Sequence, residues 1–264
     1  MNKNTINSLL AASLITTSSV FAGETTKSVS APSIEGAAIV TGTIGVNVAS
    51  GYVFRGQLLD SNLAYQPNLS LKVPLNLTSF GIDNSAIEFT TLQSLNQNAP
   101  LAGWYRSESV VGVSLAKGAF VVTPSYEFYN SPTSKFESSQ GVGLKLSFKE
   151  GALWNLNPYV KGYFGVQGNA NNGTKPGCFY EGGIRPSFLA GKTTVSIPVS
   201  LGFGTRNYYA NNSTYGYVTT GIHTSTPITS NMNFLASVDY WNTGQSVNSK
   251  TNTITTSLGL NFTF

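Results

Sequence analysis

Charge is scarce in this sequence. Of its 264 residues only 10% are Asp, Glu, Lys or Arg, against about a quarter in an ordinary soluble domain, which excludes a wetted surface of the usual kind. Cysteine is nearly absent. The single Cys178 rules out an internal disulfide framework and any Cys-x-x-Cys metal site, and reads as a lone thiol without a role. Long hydrophobic runs are missing as well: outside residues 1–22 nothing approaches the roughly 18 to 20 apolar residues of a spanning helix. With a net charge of +4 and scattered basic residues, the chain has no basic patch for nucleic acid, and no such partner is expected. The glycine-rich runs GTIGVNVASG and GVGLKLSF precede no helical pattern, so they are not phosphate loops. No carboxylate pair stands in an acid/base frame, and no pattern asks for a cofactor or a metal.

What is present begins with an export signal. Lys3 is followed by the apolar-rich stretch SLLAASLITTSSVFA, with Val20 and Ala22 at small-residue positions before a cut. This predicts a signal peptide over residues 1–22. Residues 23–41, small and polar with Pro32, read as a flexible periplasmic leader.

From residue 42 to residue 264 the hydrophobic pattern has period two. In the closing TITTSLGLNFTF, Ile254, Leu258, Leu260, Phe262 and Phe264 share one parity, and Thr253, Thr255, Ser257, Gly259, Asn261 and Thr263 the other. A helix needs a period of 3.6, which is not seen. Twelve such segments are read, at 42–54, 64–75, 85–93, 104–116, 119–129, 139–149, 156–167, 178–189, 193–205, 214–226, 231–241 and 253–264. Their length suits tilted strands crossing a bilayer. Longer polar connections such as GNANNGTKPG alternate with short ones such as KG and AGK. That alternation marks an outer-membrane barrel with long loops outside and short turns in the periplasm. The expected fold is therefore all-β, a closed antiparallel up-and-down transmembrane barrel of about twelve strands, with both termini periplasmic. Tyr52, Phe54, Tyr126, Phe128, Tyr208, Tyr209, Tyr240 and Trp241 fall near strand ends, where interfacial girdles form.

Two further features bear on localisation and function. The terminal strand ends in Phe264 with Phe262 two residues before it. This resembles the β-signal read by the barrel-assembly machinery of Gram-negative bacteria, which makes that machinery, the outer-membrane lipids and lipopolysaccharide the expected partners. Charges concentrate on the parity opposite to the apolar one: Lys72, Glu88, Glu127, Lys145, Lys161, Glu181, Arg185 and Asp239, with Arg55, Arg106, Glu108 and Arg206 near strand ends. A lipid-facing Lys or Arg at the midplane costs roughly 2 to 4 kcal/mol, so these side chains are expected in the lumen. Two readings stay open. They are paired charges that hold the interior together, or a constriction that sorts solutes by charge. Twelve strands lie between the filled barrel of about eight and the open channel of 16 to 18, so a narrow, polar lumen that a plug could close is expected.

The stretches IGVNVASGYVFRGQ, AYQPNLSLKVPL, WYRSES, PSYEFYNSP and FYEGGIRPSF resemble the TorF-type porin family of small exported barrels. The most specific element is YVFRG, an aromatic-x-x-Arg-Gly motif formed by Tyr52, Arg55 and Gly56. The resemblance implies a barrel in the outer membrane and names no cargo. An enzyme is the competing class, because His223-Thr224-Ser225 has the His-x-Ser spacing of outer-membrane phospholipase. Parity, however, puts His223 in the lumen, near a periplasmic turn, away from outer-leaflet lipid. The reading is a non-enzymatic porin-like channel for passive diffusion of small polar solutes. The alternative is an occluded barrel serving as a structural or adhesion-type envelope protein.

Overall fold

The computed structural model describes residues 39–97, 102–148, 155–169, 171, 176–210 and 213–264. The signal peptide expected at 1–22 and nearly all of the leader lie outside the described residues. Twelve wall strands follow: β1 (Thr41–Ala49), β2 (Ala64–Leu75), β3 (Asn84–Asn96), β4 (Gly103–Lys117), β5 (Phe120–Asn130), β6 (Ser139–Phe148) and β7 (Tyr159–Gln167). Then come β8 (Cys178–Ile184 and Ser187–Ala190), β9 (Thr193–Ser196 and Val199–Gly204), β10 (Tyr215–Pro227), β11 (Met232–Thr243) and β12 (Asn252–Thr263). The breaks within β8 and β9 fall at Pro186 and Pro198, which have no N–H to give to the ladder.

Each strand pairs antiparallel with the next, and β1 returns to β12 with Ile44 opposite Phe262. The sheet is thus a closed up-and-down barrel. Closure is tight along this seam. A Cβ on Gly45 would stand 1.8 Å from the side-chain oxygen of Asn261, and one on Gly259 would stand 1.9 Å from that of Asn47. Each inward asparagine therefore lies flat over a glycine of the facing strand.

The period-two pattern sets which side chains face out. On β12, Ile254, Leu258, Leu260 and Phe262 are exposed while Thr255, Ser257 and Asn261 are buried. The same division recurs round the wall, with Val46, Val111, Leu144, Leu201, Ile222 and Val238 all pointing outward. An exterior of exposed aliphatic side chains around a polar interior is the inverse of a soluble protein. It fits a bilayer, where pairing round a closed ladder satisfies backbone groups that lipid cannot. The barrel is a transmembrane one.

Two expectations need correction. The first strand ends at Ala49 rather than continuing to residue 54. Tyr52–Phe54 and Gln57–Asp60 instead form a separate two-stranded hairpin that folds inward. Nor do all eight strand-end aromatics form a girdle. Tyr126, Phe128 and Tyr240 face outward, but Tyr52, Phe54, Tyr208, Tyr209 and Trp241 are buried inside the barrel. The reason is packing: the inward hairpin gives these rings an apolar core to join.

Candidate functional site: a plugged lumen

The hairpin turns on Arg55 and Gly56. Both have positive φ, 48° and 84°, as a two-residue primed turn requires. Glycine suits the second position for a further reason, since a Cβ there would lie 2.6 Å from Tyr217. Arginine in the left-handed region is uncommon, and its contacts show what holds it there.

The Arg55 guanidinium lies at the centre of the loop-end half of the lumen. It donates to the Tyr208 hydroxyl at 2.6 Å, to Glu127 Oε2 at 2.6 Å and to the Tyr129 hydroxyl at 2.7 Å. Its carbon sits 4.0 Å from the Tyr163 ring centroid, 5.1 Å from that of Phe179 and 4.8 Å from that of Phe54. Burial opposes the Arg55 charge, but Tyr129, Tyr208, Glu127 and Tyr163 outweigh it and raise the guanidinium above its ordinary value. Burial pushes the Tyr208 phenol up. A fixed cation thus sits among tyrosine hydroxyls and one carboxylate.

Other anchors hold the hairpin. Tyr52 donates to Glu108, which also accepts from Arg106 Nε at 2.8 Å. Arg106 in turn stacks 4.0 Å from the Phe54 centroid. Asn248 donates to the Gly56 carbonyl at 2.6 Å and accepts from the Leu58 amide at 2.8 Å. Tyr209 donates to the Arg55 carbonyl at 2.9 Å. Around these polar contacts Tyr52, Val53 and Phe54 join one buried core with Leu92, Tyr105, Tyr129, Tyr163, Phe179, Tyr217 and Trp241. That core takes residues from most of the wall strands, so the hairpin fills this half of the lumen.

All eight lumen candidates face inward, and they form separate groups rather than one ring. Glu127 bridges Arg55 and, through Oε1, Lys161 at 3.0 Å. Lys72 and Glu88 pair at 3.2 Å across β2 and β3. Asp239 contacts His223 Nε2 at 2.8 Å. Glu181 accepts from Tyr159 at 2.7 Å and from Tyr217. Lys145 lies 5.5 Å from the Tyr159 ring centroid, and Arg185 sits half-buried at the break in β8. Toward the end where β1 starts and β12 finishes, Lys72, Lys145, Arg185 and His223 are all only partly buried.

Arg106 and Glu108, expected near a strand end, belong to the core of the site. Tyr105 joins them because the ladder slips between Ser94 and Leu95 of β3. This bulge turns Tyr105 inward beside Arg106, which strict alternation forbids. His223 and Ser225 both lie on the lumenal side of β10, His223 against Asp239. Phe262 and Phe264 point outward, and Phe264 closes the seam through two backbone bonds with Gly42, at 2.9 and 3.0 Å. Among the described residues no cluster of His, Cys, Asp and Glu could hold a metal.

Fold and interior together define a class, that of small twelve-stranded transmembrane β-barrels with a filled lumen. Solved structures bear out the fold. A NanC porin is 13% identical, with a TM-score of 0.53, over 84% of this chain and 98% of that one. The COG4313 outer membrane channel from Pseudomonas putida F1 is 10% identical, with a TM-score of 0.53, over 86% and 96%. Outer membrane phospholipase A from Escherichia coli, as an active-site mutant, is 15% identical, with a TM-score of 0.51, over 85% and 90%. Channels and an enzyme share this architecture, so function must be argued from the interior. No protein-family model matches the sequence, and neither does any curated protein sequence.

Proposed function

We propose that the protein is an exported outer-membrane channel for passive diffusion of small polar solutes, with the hairpin as its constriction. The observation that carries this is the division of the lumen: a filled loop-end half, and toward the other end the only partly buried side chains of Lys72, Lys145, Arg185 and His223. A barrel that served only as a wall would gain nothing from ionisable side chains kept accessible inside it. In this reading residues 1–22 are removed on export, the long loops face outward and the termini face the periplasm. Tyr52, Arg55 and Gly56, the residues of the TorF-type resemblance, are in this reading the anchor, tip and turn of the plug. Phe262 and Phe264 serve as the assembly signal. The lumenal position of His223 and Ser225 opposes lipid hydrolysis, which needs a nucleophile at the lipid surface.

One observation favours an occluded structural barrel instead: Arg55 and Glu127 are 1% and 0% exposed, leaving no gap around the plug tip. Single-channel recording separates the two. Ala49 and Ala64 are register partners, so residues 52–60 can be exchanged for a short Gly-Ser linker without stretching the wall. This variant should conduct in clear steps larger than those of the wild type. If it folds and shows no steps above the bare membrane, the channel reading fails.

A further inference from the structure

The surroundings of Arg55 are those of a receptor for an organic cation. Tyr129, Tyr163 and Phe179 stand on β5, β7 and β8, and Tyr208 stands on the connection after β9. Their rings approach the guanidinium carbon at 5.2, 4.0, 5.1 and 5.9 Å. Glu127 adds a carboxylate at 2.6 Å, and the hydroxyls of Tyr129 and Tyr208 accept at 2.7 and 2.6 Å. Aromatic faces around a cation, closed by an acid and two phenols, is how proteins recognise guanidinium and alkylammonium groups. Every one of these groups belongs to the wall or to a later loop. Only the occupant and Phe54 come from the hairpin, so the cage would persist without it.

We propose that Glu127, Tyr129, Tyr163, Phe179 and Tyr208 form a binding site for solutes of the guanidinium class, which Arg55 fills from within the chain when the plug is seated. A cationic solute would compete with Arg55 for the cage, and the hairpin would yield its place. Lys161 holds the other oxygen of Glu127 at 3.0 Å and the Tyr129 hydroxyl donates to Oε2, which together fix the carboxylate with Oε2 turned toward the ligand. The inference deepens the channel reading and rests on it for the route by which a solute reaches the cage.

The test uses full-length protein refolded in detergent, with Arg55→Ala to empty the cage. Methylguanidinium chloride is the probe, urea its neutral counterpart and sodium chloride the ionic control. At ten times its dissociation constant the probe should raise the melting temperature of Arg55→Ala by about 3 to 6 °C. Urea and sodium should not, and Arg55→Ala/Glu127→Gln should lose the effect. The Gly-Ser variant lacking residues 52–60 provides a second empty cage and should respond in the same direction. Equal shifts with urea, or no shift in a folded variant, would overturn the site. Conductance is recorded on the same samples. A melting shift without current keeps the cage and removes the channel; current without a shift does the reverse.

Discussion

Replacing Glu127 by Gln changes one atom type and removes the acid from two cations at once. Arg55 and Lys161, with side chains 1% and 4% exposed, would be left buried beside a neutral amide. Breaking a buried ion pair by removing one partner costs about 3 to 5 kcal/mol, because the remaining charge keeps its desolvation penalty. Arg55 still has Tyr129 and Tyr208 as partners, which places the expected loss near the lower end, about 3 kcal/mol. Urea unfolding in lipid vesicles, followed by tyrosine and tryptophan fluorescence, measures it. The double variant Arg55→Met/Glu127→Gln supplies the control. Taking away the stranded guanidinium should recover part of the loss, so the two single effects should fall short of additivity by about 1 to 3 kcal/mol. A Glu127→Gln loss under about 1 kcal/mol, or additivity within about 0.5 kcal/mol, would refute the view that this pair secures the plug.

Three more predictions follow from separate parts of the barrel. Gly56→Ala adds a Cβ at φ 84° within 2.6 Å of Tyr217; a cost of about 1 to 3 kcal/mol is expected, seen as a lower temperature at which the compact barrel loses its gel mobility. Leu258→Arg puts a cation on the outward face midway along β12, where Leu258 is 57% exposed, and should cost about 2 to 4 kcal/mol in vesicle unfolding; a neutral result would place that face outside the bilayer. Lys145→Glu with Lys161→Glu should move the reversal potential of the conducting linker variant toward cation selectivity, and an unchanged potential would remove both lysines from the permeation path.

The wall was legible because most outward positions obey one rule. Ile254, Leu258, Leu260 and Phe262 meet lipid, and the rule needs only their spacing. The lumenal parity of Lys72, Glu88, Glu127, Lys145, Lys161, Glu181 and Asp239 followed by complement. What escaped was the part that breaks alternation. Tyr52 and Phe54 continue the apolar parity of β1, so nothing local announces that the chain turns inward after Ala49. An Arg-Gly turn is rarer than Asn-Gly, and its left-handed Arg55 is stabilised by Glu127, Tyr129 and Tyr208, none of which is near in sequence. Tyr105 was hidden by a bulge, and the His223–Asp239 contact depends on a register between β10 and β11 that only the ladder supplies. The motif of Tyr52, Arg55 and Gly56 was visible in the sequence, but not that it folds into the barrel as a hairpin.

The plug also dictates an order of events during folding. Arg55 meets Tyr208 across 153 residues and Gly56 meets Asn248 across 192, so a segment that emerges early finds its partners only when the last third of the chain has arrived. Contacts of such long range form slowly. Until they form, a guanidinium and several phenols must wait in water, and once β1 and β12 have zipped, the hairpin can enter only through the barrel mouth. Seating the hairpin and sealing the seam are therefore expected to be one kinetic step, its rate set by these long-range contacts. The linker variant should then close faster than the wild type yet reopen faster too, which time-resolved gel mobility during refolding would reveal.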